Sequence, residues 1–310
     1  MAIDHASRDL LDSVADRRAK PLHESTPTEA RETMGWFDPG DGPSMFLVVD
    51  ETVESTDDQS FPVRVLTPTA QPRGTVVYYH GGGWVLGDID AFDTLARTLA
   101  HAANVRVVLV GYRLAPENPY PAAVDDSWQA LEWVAAQQKV WDHAPIVLAG
   151  DSAGGNLVIA TAVRAAAERE LVSAVLLVYP VTDTDTTRPS YLDPHNQLLI
   201  SKRSMEWFLT QYVDDASRAD PRVSPIRLGD LSGFPPTAII LAEHDPLRDE
   251  GEEFAELLVS AGVPVRRRLF DQQMHGFFQM VNVLPASITA IEWLAEYLDT
   301  TVFKVRQEIK

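Results

Sequence analysis

One pentapeptide of the chain has residue types suited to nucleophilic catalysis, Gly-Asp-Ser-Ala-Gly at residues 150–154. It follows an apolar run at 145–149 and precedes an alanine-rich stretch typical of a helix. A serine at a sharp strand-to-helix turn adopts a strained backbone conformation that exposes its hydroxyl at the edge of a sheet. Ser152 is therefore a candidate nucleophile. Asp151 beside it is interpreted either as a hydrogen-bonding support or as a solvated charge.

A glycine cluster further upstream, His-Gly-Gly-Gly-Trp at residues 80–84, closes another apolar run at 75–79. Attack of a serine on an ester carbonyl produces an oxyanion, and backbone N–H groups fixed in advance around it lower the barrier. Gly82, Gly83 and Ala153 are the candidate donors. A flexible turn or a phosphate-binding loop is the alternative, but the chain lacks both Gly-x-Gly-x-x-Gly and Gly-x-x-x-x-Gly-Lys.

A serine hydroxyl needs a base, and the base needs a carboxylate that orients it. Three histidines follow the serine: His195, His244 and His275. His275 comes just after a strand-like run at 265–270, where a loop residue reaches back over the sheet edge. His195 lies in a polar, proline-flanked stretch, and His244 adjoins the best acid candidate. The pattern favours His275 as the base.

The acid candidate is Asp245, which follows the apolar run at 237–242. Asp249 and Glu250 come next, and acidic residues there suit the first turn of a helix. Asp245 is therefore the predicted acid, with Asp249 as the alternative. The chain order Ser152, Asp245, His275 is the order of α/β-hydrolases.

The elements that must position these residues alternate along the chain. Strand-like runs are predicted at 46–53, 62–67, 75–79, 105–112, 146–149, 174–179, 237–242 and 265–270. Helical patterns follow residues 90, 122, 154, 250 and 286. Such alternation predicts a mostly parallel sheet of about eight strands covered on both faces by helices. All the motifs then fall at the carboxyl ends of strands, where ligands bind in such sheets.

The sequence resembles the hormone-sensitive-lipase-like family of α/β-hydrolases over essentially its whole length. The motifs that carry the resemblance are residues 80–84, 112–117, 120–126, 150–155, 245–250 and 275–277. The resemblance implies the α/β-hydrolase fold and hydrolysis of short- to medium-chain carboxylic esters through an acyl-enzyme, with no metal or organic cofactor. A serine amidase or peptidase, a lactonase, and a receptor that keeps the fold without catalysis are the alternatives; the intact triad disfavours the receptor.

Two segments interrupt the alternation, and the family resemblance implies that they pack together as a helical cap over the active site. The resulting division assigns residues 45–182 and 223–310 to the catalytic domain and residues 1–44 and 183–222 to the cap. Bulky residues where the pocket should close are the candidate substrate contacts. They are Trp84, Trp36, Phe37, Leu199 and Phe208.

Charge and cysteine content narrow the possible partners. Asp and Glu outnumber Lys and Arg by 45 to 26, and the net charge of −19 argues against nucleic acid or anionic membranes. The chain has no cysteine, which excludes disulfides and thiol catalysis. The amino-terminal residues lack the apolar core of a signal peptide and no run approaches a membrane span, so we expect a cytoplasmic protein.

Three consecutive arginines, Arg266, Arg267 and Arg268, fall in the last predicted strand. The family resemblance implies dimers that pair through this edge, whereas charge on an edge strand discourages pairing. We expect a homodimer, with a small-molecule ester as the remaining partner.

Overall fold

The computed structural model describes residues 2–17, 20–34, 40–168 and 171–304. Within these ranges an eight-stranded sheet has the order β1-β2-β4-β3-β5-β6-β7-β8. The strands are β1 (Leu47–Glu54), β2 (Ser60–Thr67), β3 (Thr75–Tyr79), β4 (Arg106–Val110), β5 (Ile146–Asp151), β6 (Val172–Val178), β7 (Thr237–His244) and β8 (Val265–Met274). The pairs β1–β2 and β2–β4 are antiparallel and all the others are parallel, which confirms the predicted fold class.

Helices cover both faces of this sheet. They are α1 (His5–Arg17), α2 (Pro27–Met34), α3 (Ile89–Ala103), α4 (Ala122–Ala136), α5 (Ala153–Glu168), α6 (Pro189–Leu192), α7 (Lys202–Tyr212), α8 (Arg248–Ser260) and α9 (Pro285–Leu298). On β3, Val76 and Tyr78 belong to the apolar core formed with α3 and α9, whereas Val77 and Tyr79 belong to the core formed with α4, α5 and α8. Burial on both faces explains why the central strands are continuous apolar runs rather than alternating ones.

Several strands end at other residues than the sequence predicts. Strand β4 is shorter than the predicted run 105–112, while β7 and β8 continue past residues 242 and 270 to His244 and Met274. The added residues pair with each other after a shift in register, His244 opposite Met274. Polar residues therefore prolong both strands because the ladder gives their backbone groups partners. As a result, Asp245 and His275 directly follow two neighbouring strand ends.

The remaining helices lie outside this alternation, α1 and α2 before the sheet and α6 and α7 between β6 and β7. The second of these segments leaves and rejoins the sheet at one place, where the backbone N–H of Ile226 donates to the carbonyl of Thr182 at 3.0 Å. No helix in the described ranges is long and apolar enough to cross a bilayer.

Candidate active site

Ser152 lies at the turn between β5 and α5 with a φ of +55°, in the left-handed region that residues other than glycine rarely adopt. Its backbone N–H donates to the carbonyl of Val178 at 2.9 Å, which fixes the turn against β6. Gly154 permits the tight approach to β3, since a Cβ there would lie 1.9 Å from the carbonyl oxygen of Tyr79. The sequence motif is thus a geometric requirement that holds the Ser152 hydroxyl at the sheet edge.

The three residues predicted as nucleophile, base and acid lie in one hydrogen-bonded chain. His275 Nε2 lies 3.0 Å from Ser152 Oγ, and His275 Nδ1 lies 2.8 Å from Asp245 Oδ2. Because a carboxylate only accepts, Nδ1 carries the proton and Nε2 presents its lone pair to the serine hydroxyl. Asp245 is fully buried, and its other oxygen accepts from the N–H of Leu247 at 2.8 Å. The acid is therefore held on both oxygens.

Tyr179, which sequence reasoning missed, supports the histidine from below. Its ring centroid lies 4.4 Å from that of His275, and its hydroxyl accepts from the N–H of Phe278 at 3.2 Å. Gly276, which directly follows His275, has a φ of +85°, so the loop turns sharply after the base. Tyr179 itself has a positive φ of 35°. No residue pattern signals that conformation, because tyrosine carries no preference for it.

The candidate oxyanion loop also depends on backbone conformations that favour glycine. Gly82 has a φ of +109°, and a Cβ there would lie 2.2 Å from the carbonyl oxygen of Leu86. The Leu86 N–H in turn donates to the carbonyl of Gly82 at 2.8 Å, closing the loop. Among the described residues, the amides of Gly82 and Gly83 have no acceptor. Ala153 is the first residue of α5, where N–H groups lack partners within the helix. The loop and the helix start leave the three predicted donors free for a ligand oxygen.

Asp151 is a buried hydrogen-bonding support, which settles the two interpretations left open by the sequence. Its Oδ1 accepts from the Tyr78 hydroxyl at 2.8 Å and from the N–H of Gly81 at 2.9 Å. Burial raises the pKa of Asp151 to about 6, although both hydrogen bonds and the nearby His275 lower it. The carboxylate thereby ties the glycine loop to the strand that carries the serine.

Arg31 on α2 makes a second connection to the glycine loop, one that the sequence did not reveal. Its guanidinium donates to the carbonyls of Val85 at 2.9 Å and Ala115 at 2.8 Å. Glu117 pairs with the same guanidinium at 2.7 Å. An amino-terminal helix is therefore bound directly to the backbone that follows the glycines.

The alternative acid, Asp249, has a different task. It lies in the first turn of α8 as predicted, and its Oδ2 accepts from the N–H of Ser190 at 2.8 Å. Glu250 next to it is fully buried and accepts from the N–H groups of Thr182 at 2.8 Å and Asp183 at 3.3 Å. Burial raises the pKa of Glu250 well above its ordinary value. Both carboxyl groups bind the inserted segment to the acid-bearing loop, a long-range contact that the helix pattern did not show.

A pocket of about 80 Å³ opens above Ser152 and His275. The glycine loop, residues 151–152 and residues 275–276 border it, together with Phe92, Gln279 and Met280. The other described lining residues are apolar and come from the two segments outside the alternation. They are Leu10, Val14, Leu22, Leu199, Ile200, Met205 and Phe208. Leu199 and Phe208 therefore lie where the sequence predicts, and the Phe208 ring covers Gly83 so closely that a Cβ there would lie 2.3 Å from it.

Trp84, also predicted to contact substrate, does not line this pocket. Its φ of +59° turns the side chain away from it, and the fully buried ring stacks on Tyr212 at 4.2 Å. Trp84 instead packs the glycine loop against α7. Trp36 and Phe37, the other two predicted contacts, lie outside the described residues.

The pocket carries little charge. Of the described residues that line it, only Asp151 is an acid, its carboxyl already hydrogen-bonded, and none is a lysine or arginine. Across the described ranges, no group of three or more His, Cys, Asp or Glu side chains is arranged to hold a metal ion.

Comparison with known proteins gives concordant findings. Residues 76–279 match the family described as the α/β-hydrolase fold. The carboxylesterase NlhH of Mycobacterium tuberculosis is 42% identical over 253 residues, covering 78% of this chain and 79% of that protein. The ethyl acetate hydrolase of Pseudomonas putida is 34% identical over 290 residues, covering 90% and 91%. Among solved structures, the esterase of the archaeon Pyrobaculum calidifontis superimposes with a TM-score of 0.90 at 32% identity, covering 97% of this chain and 99% of that one.

Proposed function

The chain belongs to the hormone-sensitive-lipase-like group of the α/β-hydrolase family, and from that premise we propose that it is a serine carboxylesterase acting on short- to medium-chain esters through an acyl-enzyme. One observation carries the proposal. The hydroxyl of Ser152 is hydrogen-bonded to His275, which is hydrogen-bonded to Asp245, at the bottom of an apolar pocket. That is the geometry that acyl transfer requires.

In the first half of the reaction, Ser152 Oγ attacks the ester carbonyl carbon while its proton passes to His275 Nε2. The carbonyl oxygen becomes an oxyanion that accepts hydrogen bonds from Gly82, Gly83 and Ala153. Asp245 stabilises the charged imidazole without itself taking the proton. The bond to the alcohol oxygen then breaks, and the alcohol leaves with the proton from Nε2, so that an acyl-Ser152 ester remains.

In the second half of the reaction, a water molecule hydrolyses the acyl-enzyme. His275 Nε2 takes a proton from water, and the hydroxide attacks the acyl carbon to form a second oxyanion in the same hole. Collapse breaks the bond to Ser152 Oγ and returns the proton to it. The carboxylic acid then leaves, and the enzyme is restored.

The shape of the pocket supports both the proposed acyl length of the substrate and the proposed cap. Its volume of about 80 Å³ is far below the several hundred Å³ of pockets for drug-sized ligands, which supports a small ester. Leu10 and Leu22 from the amino-terminal segment and Phe208 from the inserted one all line it. These contacts support the assignment of residues 1–44 and 183–222 as a cap over a catalytic domain of residues 45–182 and 223–310.

We retain the expectations of a homodimer and a cytoplasmic location as part of the proposal. Strand β8 is the last strand of the sheet, and Leu269 on it and Val259 on α8 are exposed apolar residues. A sheet edge with apolar neighbours supports pairing of two copies, while Arg266, Arg267 and Arg268 oppose it. Light scattering across a range of concentrations tests the dimer, and a constant monomer mass would remove it.

The experiment that tests the function combines a substrate panel with active-site labelling. We expect hydrolysis of acetate and butyrate esters, little cleavage of the matching amides, and stoichiometric labelling of Ser152 by an organophosphate. Amides or lactones cleaved in preference to esters would replace the proposed reaction. Labelling of a different serine, with Ser152 unmodified, would overturn the catalytic assignment.

A further inference from the structure

One described polar side chain of the pocket is neither a catalytic group nor a support of the glycine loop. Among the residues that the structure describes, four polar ones line the cavity: Asp151, Ser152, His275 and Gln279. The first three are hydrogen-bonded to other residues of the site. The carboxamide of Gln279 has no hydrogen-bond partner among the described residues, although it borders a mostly apolar cavity.

Gln279 lies close to the reaction centre. Its Nε2 is 3.8 Å from the position that a Cβ on Gly276 would occupy, and Gly276 directly follows His275. Leu199 approaches the same position to 3.0 Å, so the amide borders the apolar wall on the histidine side. A substrate arm that leaves the ester group in that direction meets one polar group within an apolar surface.

The chemistry of a carboxamide limits what it can bind there. Its nitrogen donates and its oxygen accepts, so that an ether, hydroxyl or carbonyl oxygen is a suitable partner. A polar group that loses water on ligand binding without finding a partner destabilises the complex, so purely aliphatic arms are at a disadvantage beside it. An ionised carboxylate on the substrate would find no lysine or arginine among the described lining residues.

We propose that Gln279 is a specificity-determining residue that selects uncharged esters carrying an oxygen atom on one arm, a few bonds from the scissile group. The inference rests on the proposed esterase function and names its substrate class. The oxygen replaces the water that solvates the free amide, and the remaining atoms of the arm contact the apolar wall.

Two matched substrate pairs test this inference, one for each arm of the ester. Ethyl methoxyacetate and ethyl butyrate differ by one oxygen in place of a methylene in the acyl arm. Methoxyethyl acetate and butyl acetate differ in the same way in the alcohol arm. For each pair we compare the ratio of kcat/KM values between the wild-type protein and Gln279→Met, which keeps the length of the side chain. Intrinsic reactivity cancels in this comparison.

For one of the pairs, we expect the preference for the oxygen-containing ester to fall about fivefold in Gln279→Met, the size of one neutral hydrogen bond. Gln71→Met, the same change at an exposed glutamine outside the pocket lining, is expected to leave both ratios unchanged. Equal ratios in wild type and Gln279→Met for both pairs would overturn the inference, whereas failure of the wild type to hydrolyse any ester would overturn the proposed function instead. If Gln279→Met does not fold, the wild-type ratios are compared with those of alkaline hydrolysis, and no excess preference in either pair rejects the inference.

Discussion

The floor and the roof of the pocket are built by different physical means. The floor consists of strand ends and their turns, and its two carboxyl groups are hydrogen-bonded: Asp245 accepts on both oxygens, and Asp151 accepts from Tyr78 and Gly81. The roof consists of the amino-terminal segment before the sheet and the segment inserted between β6 and β7. Their described side chains toward the cavity are apolar. Hydrogen bonds fix directions, whereas apolar contacts exclude water and set volume.

The difference teaches where each kind of specificity resides. Chemistry requires atoms within a few tenths of an ångström of one geometry, so it is assigned to short, strained turns such as that at Ser152. Substrate length and polarity depend on the shape of the cavity, to which side chains from distant parts of the chain contribute. Changes in the floor should therefore affect kcat strongly for every substrate, whereas changes in the roof should alter the order of preference among substrates.

The largest effect is expected for the nucleophile itself. Ser152→Ala should lower kcat by a factor on the order of 10⁶ for all esters alike, because the acyl-enzyme can no longer form. Ser232→Ala, at an exposed serine outside the pocket lining, is the matched control and should retain activity. Steady-state rates on acetate and butyrate esters provide the measurement, and a substantial residual rate in a folded Ser152→Ala protein would contradict the proposed mechanism.

The two candidate acids offer the next comparison. Asp245→Asn should lower kcat by a factor on the order of 10⁴, since the amide no longer stabilises the charged imidazole. Asp249→Asn alters the contact to Ser190 and the ion pair with Arg248, neither of which reaches the triad, and should cost less than about tenfold. Both variants need a thermal unfolding check before their kcat values are compared. If Asp249→Asn were the inactive variant, the acid assignment would be wrong.

A smaller effect is expected from the support beneath the glycine loop. The pKa of Asp151 is raised to about 6, so its carboxylate is lost as the pH falls through that value, together with much of its hold on Gly81. The base must also be unprotonated, and kcat/KM of the wild type should therefore fall more steeply with acid than one ionisation allows. In Asp151→Asn the acid limb should follow a single ionisation, with activity at pH 8 within about tenfold of wild type. The measurement is kcat/KM from pH 4 to 8 for both proteins. An acid limb in Asp151→Asn that is as steep as in the wild type would exclude this role of the Asp151 carboxylate.

The smallest effect belongs to the roof. Phe208→Ala enlarges the pocket, and the ester series from acetate to laurate should then peak at a longer chain, each added buried methylene contributing about fourfold to kcat/KM. Trp84→Phe is the matched control, because Trp84 stacks on Tyr212 rather than lining the cavity. The control should lower stability without moving the peak. If kcat/KM depended on chain length in the same way in Phe208→Ala and wild type, the roof would not select the chain length.

The parts of the site that sequence alone predicted are those governed by local backbone geometry. The turn at Ser152 and the glycine loop at Gly82 require small residues at fixed spacing, so their motifs are readable without a structure. The order of Asp245 and His275 after the serine, each following an apolar run, was readable for the same reason. Buried parallel strands also leave a clear pattern, which is why the fold class was predicted while the ends of β4, β7 and β8 were not.

Tertiary structure alone decided which side chains meet across the chain. Nothing in the sequence places Tyr179 under the histidine, joins Arg31 to the glycine loop, or sets Glu250 against the root of the inserted segment. The tertiary structure likewise turns Trp84 into the core and brings Gln279 to the cavity wall. These contacts depend on the packing of segments far apart in sequence. A residue's type limits the interactions it can make, but only the folded chain determines which partner is within reach.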